Sequence, residues 1–245
     1  AADSAVMVID GAKGIEPQTR KLFKICAMRN IPIFTFINKL DRDANDTFEL
    51  LDEIEKELGI ATCPINWPIG VDGDFQGVYQ RDIGKVLLYS GGNHGMSKAE
   101  TLIVDPNSDE AKGVLAQHYI DRLNDELELL DEAGDPFDKK AVLEGRLTPL
   151  FFGSAITNFG VEPFLTCFLD YSTPPAAHES DLGVVEATDE EFSGFIFEIQ
   201  ANMNPAHRDR LAFMRICSGT FTKGMSVWHS GSGKMIQLKQ PQQFM

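Results

Sequence analysis

Residues 36 to 44 read Phe-Ile-Asn-Lys-Leu-Asp-Arg-Asp-Ala, so that Asn38, Lys39 and Asp41 follow directly on an apolar run. A carboxylate in that place can accept two parallel N–H donors at once. Guanine offers such a pair on its Watson–Crick edge, N1–H beside the exocyclic amine, and adenine does not. Against the wrong base, the carboxylate of Asp41 would stay buried and unpaired, at a cost of several kcal/mol. Lys39 can lay its aliphatic stem along a base plane while its ammonium reaches solvent or ribose. Asn38 can bond the loops on either side. A second loop of small residues, Gly-Ser-Ala-Ile-Thr-Asn-Phe-Gly from 153 to 160, follows another apolar run. There the backbone N–H of Ala155 could donate to the guanine carbonyl oxygen, with Ser154 and Ala155 closing over the base. Asn-Lys-x-Asp also occurs in ordinary polar turns, but its place after a buried strand, and the matching second loop, favour base recognition.

These side chains need a scaffold that brings distant loops together. Residues 5 to 10 form a β-branched apolar run that predicts a strand buried on both faces. Glu16-Pro17 then opens a helix with Leu22, Phe23, Cys26 and Ala27 on its inner face. A second buried strand spans 31 to 37. The next helix begins near Asp46 with a variant capping box, buries Phe48, Leu51, Ile54 and Leu58, and stops at Gly59. Strand, helix, strand, helix in this order implies a parallel sheet with crossover helices and a ligand at the carboxyl ends of its strands.

The next comparable strand, 148 to 153, comes late. Asp41 and Ser154 lie 113 positions apart (154 − 41), whereas one strand–helix–strand step takes about 30 residues. An insertion from about 60 to 147 is therefore expected, containing hairpin-like material and one helix from about Asp109 to Glu132 with Ala116, Ile120, Leu123, Leu127 and Leu130 on one face. Leu165 joins Phe164 and Phe168 in the helix after 160. The α/β part is assigned to 1–175, an acidic Pro-containing linker to 176–191, and the start of an antiparallel β-barrel to 192–245.

The formal net charge of −15 argues against a protein that grips nucleic acid through its overall charge, and nothing points to sequence-specific nucleic-acid binding. Four dispersed cysteines, with no metal-ligand spacing, read as reduced thiols of a cytoplasmic protein. No apolar run nears the roughly 18 residues of a membrane span, so no membrane partner is expected. The opening residues, without an initiator Met and running at once into a strand, look like a cut through a domain. Gly91 to Gly95 (Gly-Gly-Asn-His-Gly) reads as a loop of the insertion, Ser230 to Gly233 as a hairpin turn, and His207 to Arg210 equally as a surface where Arg208 and Arg210 meet ribosomal RNA or protein or as an interdomain salt-bridge surface.

The pairing of Asn-Lys-Leu-Asp with Gly-Ser-Ala resembles the base-recognition elements of translational GTPases. Longer stretches, DGAKGIEPQTRKLFK, INWPIG, FFGSAITNFGVEPFL and FSGFIFEIQANMNPAHRDRLAFMRICSG, resemble the bacterial family of peptide chain release factor three over essentially the whole chain. GTFTKGMSVWHSGSGK resembles the opening of the β-barrel second domain of these factors. The resemblance implies an α/β fold: a partial P-loop GTPase-type parallel sheet carrying an insertion subdomain, then the start of a barrel. It also implies GTP or GDP as ligand, action on the ribosome after termination, and class-one peptide chain release factors as the partners displaced. No G-x-x-x-x-G-K-[ST] or D-x-x-G-H segment is present. In the family both precede the region corresponding to Ala1, so this chain is expected to hold the base-reading half, to need the phosphate-binding part for Mg2+, and not to hydrolyse GTP alone. The alternatives are an elongation factor G-like translocation GTPase and a non-catalytic interaction module that binds no nucleotide.

Overall fold

The computed structural model describes residues 2–70, 73–90, 100–201, 210–239 and 241. The chain divides into two compact units, residues 2–173 and the part from 174 onward. In the first, β1 (Ala5–Asp10), α1 (Pro17–Ala27), β2 (Ile33–Asn38), α2 (Thr47–Leu58) and β3 (Ala61–Pro64) follow one another without interruption. An antiparallel meander comes next, β4 (Asn66–Ile69), β5 (Gly77–Gln80), β6 (Lys85–Ser90) and β7 (Glu100–Val104). Three helices, α3 (Asp109–Val114), α4 (Gln117–Ala133) and α5 (Lys139–Leu143), lead back to β8 (Leu147–Phe152), and α6 (Val161–Tyr171) ends the unit.

The four strands β1, β2, β8 and β3 lie in that order in one parallel sheet. Its central strands are buried along nearly their whole length because helices cover both faces. Phe23, Leu50 and Ile54 of α1 and α2 share a core with Met7, Ile9 and Ile37, while Phe164 and Cys167 of α6 pack with Phe34, Phe36 and Phe151. Two buried hydroxyls tie the middle strands: Thr35 and Thr148 bond at 2.8 Å, and Thr148 Oγ1 also donates to the Ile33 carbonyl. The boundaries of α2 follow from its ends. Asp46 accepts hydrogen bonds from the Phe48 and Glu49 amides at 2.9 and 3.2 Å, and Gly59 takes the left-handed φ of 70° that closes the helix.

Several expectations need correction. Strand β1 is an edge strand in this sheet, so only Met7 and Ile9 are buried while Val6 and Val8 are 45% and 55% exposed. Leu22 and Ala27 of α1 face outward, as does half of Leu165 in α6. The span assigned to the insertion contains β3, which belongs to the parallel sheet; four residues are enough for an edge strand there. The single helix expected from Asp109 is two, because Leu115 and Ala116 adopt extended backbone that lets Leu115 turn into the core. Ala116 is exposed at the start of α4, whereas Ile120, Leu123 and Leu130 are buried.

The second unit is antiparallel throughout its described strands. A short hairpin, β9 (His178–Ser180) with β10 (Gly183–Val185), occupies the segment read as a linker. A long ribbon follows, β11 (Ser193–Ala201) with β12 (Arg210–Ser218), and then a hairpin, β13 (Ser226–His229) with β14 (Lys234–Gln237), closed by the turn at Ser230 to Gly233.

Candidate functional site

The carboxyl ends of β1, β2 and β8 meet at one edge of the sheet, and their loops are stitched by backbone and side-chain bonds. Asp10 lies beside Asn38 in register, and the Gly11 amide donates to the Asn38 carbonyl at 2.9 Å. On the other side, the Gly153 amide donates to Ile37 and the Leu40 amide to Gly153, at 3.0 and 3.2 Å. Asn38 Oδ1 accepts from its neighbour Lys39 N at 2.8 Å and from Ala155 N at 2.9 Å, bridging loops 117 residues apart. Ser154, fully buried, donates its hydroxyl to Asp41 Oδ1 at 2.5 Å. All five residues singled out in the sequence therefore converge. The Ala155 N–H, read as a donor to a base carbonyl, is donating to Asn38 here.

The Asp41 carboxylate is held by one oxygen and is 21% exposed; Arg42 Nε stands 3.7 Å from Oδ2. A carboxylate fixed in this way presents acceptor positions without having to reorganise, which suits a planar pair of N–H donors. Beneath it, the loop at 153–160 folds on itself: Ser154 and Phe159 exchange both backbone bonds, at 2.9 and 3.0 Å. Gly160 must be glycine, since its φ is 74° and a Cβ would stand 2.7 Å from the Phe152 carbonyl oxygen.

Lys39 has a left-handed φ of 71°, an uncommon and strained conformation for this residue type. Its amide bond to Asn38 Oδ1 and its ammonium, 2.7 Å from Asp10 Oδ2, hold it there. Asp10 is the residue that sequence reasoning missed. The available signal was its place as the last residue of β1, next to the strand that ends in Asn38. The hydrogen bond from Lys39, helped by the Ala12 amide at 3.0 Å, holds the Asp10 carboxyl below its ordinary 3.8. A depressed carboxyl stabilises the fold above its unfolded value and loses that contribution as pH falls through the folded one. Asp10→Asn should therefore be less stable than the parent chain at pH 7, with the gap narrowing as pH is taken below about 3.8. Urea midpoints on either side of that value measure this, and a gap that is independent of pH would remove Asp10 from the network.

Among the described residues no group of three or more His, Cys, Asp or Glu is placed to hold a metal ion. No helix among them is long and apolar enough to cross a membrane, and none of the four cysteines forms a disulfide. Gly91 to Gly95 and His207 to Asp209 lie outside the described residues; Arg210 begins β12.

A parallel sheet whose loops converge in this pattern defines the class. Residues 1–174 match the elongation factor Tu GTP binding domain family, and the chain belongs to that family of GTP-binding domains. Residues 191–245 match the family of elongation factor G domain 2. Within the class, the chain is similar to "Peptide chain release factor 3" of Acaryochloris marina, 54% identical over 99% of this chain and 45% of the relative. It is likewise 54% identical to the protein of that name from Symbiobacterium thermophilum, over 100% of this chain and 46% of the relative. The chain thus spans a little under half the length of the curated relatives it matches. A crystal structure of a Thermus thermophilus protein shares the fold, with a TM-score of 0.64 at 20% identity over 97% of this chain and 35% of that one.

Proposed function

We propose that this chain reads the guanine base of GTP or GDP for a translation factor of the release factor 3 type. Asp41 accepts the N1–H and the exocyclic amine, and Lys39 covers one face of the base with its stem. Asn38 ties the two loops, Ser154 orients Asp41, and the Ala155 N–H turns from Asn38 to the base carbonyl oxygen when nucleotide enters. The observation that carries this reading is the buried Ser154 hydroxyl on Asp41, which fixes a carboxylate at the mouth of two loops with acceptor positions still available.

In the whole protein the nucleotide would be hydrolysed on the ribosome, in the cytoplasm, to promote departure of the class-one factors that read stop codons. Phosphate and Mg2+ binding would come from groups outside residues 1–245, which alone would turn over no GTP. We assign 1–175 to the nucleotide domain, 176–191 to the linker and 192–245 to the barrel. Competition for a fluorescent guanine nucleotide tests the reading: GDP should displace it at a concentration about 100-fold or more below ADP. Failure of either nucleotide to bind would favour a non-catalytic interaction module.

A further inference from the structure

The loop that orients Asp41 is held from behind by the inserted meander. Phe159 exchanges both of its backbone hydrogen bonds with Ser154, and its ring stacks on Tyr89 of β6 with centroids 4.9 Å apart and planes 20° from parallel. Phe75, before β5, adds a looser contact at 6.1 Å. A second link from the meander lies earlier in the chain: the Asn66 side chain bonds both the amide and the carbonyl of Phe152, at 2.7 and 3.1 Å. That clip fixes the end of β8. Within the loop itself the insertion reaches Phe159 through the aromatic stack, and the Asn66 amide also lies near Gly160 at the loop's far end.

We propose that Tyr89 is a positioning residue for guanine recognition. Its ring fixes Phe159, Phe159 fixes Ser154 through the paired backbone bonds, and the Ser154 hydroxyl sets the Asp41 carboxylate. Selectivity for the base thereby depends on a subdomain that does not touch it. The proposal rests on Asp41 being the base acceptor, and it goes further by making the insertion a control point for that acceptor. Whatever displaces the meander relative to the sheet would loosen the grip on guanine.

Two variants of the 245-residue chain, Tyr89→Ala and Tyr89→Phe, test it with two readouts. The first is amide hydrogen exchange without nucleotide. In Tyr89→Ala the Ser154 and Phe159 amides should exchange about fivefold faster or more, as expected for loss of an aromatic stack, while amides of β2 keep their rates. Tyr89→Phe, which retains the ring, should stay near the parent. The second is the affinity ratio of GDP to inosine diphosphate, which lacks the exocyclic amine. That ratio should fall about fivefold in Tyr89→Ala and return in Tyr89→Phe. Equal acceleration across the whole sheet, or unchanged exchange at Ser154 and Phe159, would overturn the role of Tyr89. If exchange responds as expected but the parent chain does not distinguish the two nucleotides, the loop coupling is real and the assignment of Asp41 is what fails, taking the selectivity claim with it.

Discussion

Asp41→Asn is expected to weaken binding of GDP by several-hundredfold while xanthine diphosphate gains. The reason is a reversal of polarity at one atom. The carboxylate offers two acceptors to two base donors, and the amide replaces one acceptor with an NH2 that faces an N–H. Losing one charge-assisted bond and opposing two donors costs about 3–4 kcal/mol, or roughly 150- to 1,000-fold. Xanthine carries a carbonyl where guanine has the amine, so the new NH2 finds an acceptor. The Ser154 hydroxyl can rotate to donate to the remaining carbonyl oxygen, so the fold should be nearly unaffected. Titration of both nucleotides into parent and variant decides the matter. An unchanged preference for guanine would remove Asp41 from base recognition whatever its place in the loop.

Trp67→Ala should be the most damaging single change to stability. Trp67 in β4 is fully buried, with its ring between Phe48 of α2 and Phe152 of β8 at centroid distances of 4.8 and 5.3 Å. Its indole N–H donates to Glu126 of α4 at 2.7 Å. Truncation leaves a cavity where α2, the sheet and the meander meet and takes one donor from Glu126, which keeps Arg122 at 2.7 Å. The expected loss is about 3–5 kcal/mol, a large part of the roughly 5–15 kcal/mol that holds a domain together. Trp67→Phe retains most of the packing and should cost less than half as much. Urea unfolding followed by circular dichroism measures both; a Trp67→Ala midpoint close to the parent would mean that the meander contributes little to the stability of the sheet.

What could be read from the sequence was whatever local chemistry dictates. The apolar runs of β2 and β8 carry their own evidence of burial, and the capping Asp46 and terminal Gly59 bound α2 with little help from the rest of the chain. Asn38, Lys39, Asp41, Ser154 and Ala155 were singled out because their types follow such runs. Asp10 was not, because an aspartate at a strand end has no signature until the neighbouring strand is known; its partner Lys39 lies 29 residues away. The partly exposed Val6 and Val8 show the same limit from the other side. Their composition suits a buried strand, and only the sheet order makes β1 an edge. Strand β3 is too short for periodicity to mark it, and the break at Leu115 reflects tertiary packing that overrides the helical pattern on either side.

The bond between Ser154 and Asp41 closes a loop of 113 residues, as does the hydroxyl pair of Thr35 and Thr148. Synthesis runs from the amino end, so β1, β2 and the Asn-Lys-Leu-Asp turn emerge long before the strand and loop that complete them. At about 5–20 residues per second, Asp41 waits on the order of ten seconds for Ser154 to be made. During that interval the edge of β2 that later pairs with β8 has no partner from its own sheet, and the whole inserted meander is produced in between. The two loops proposed to read the base are thus joined late in the translation of the α/β unit.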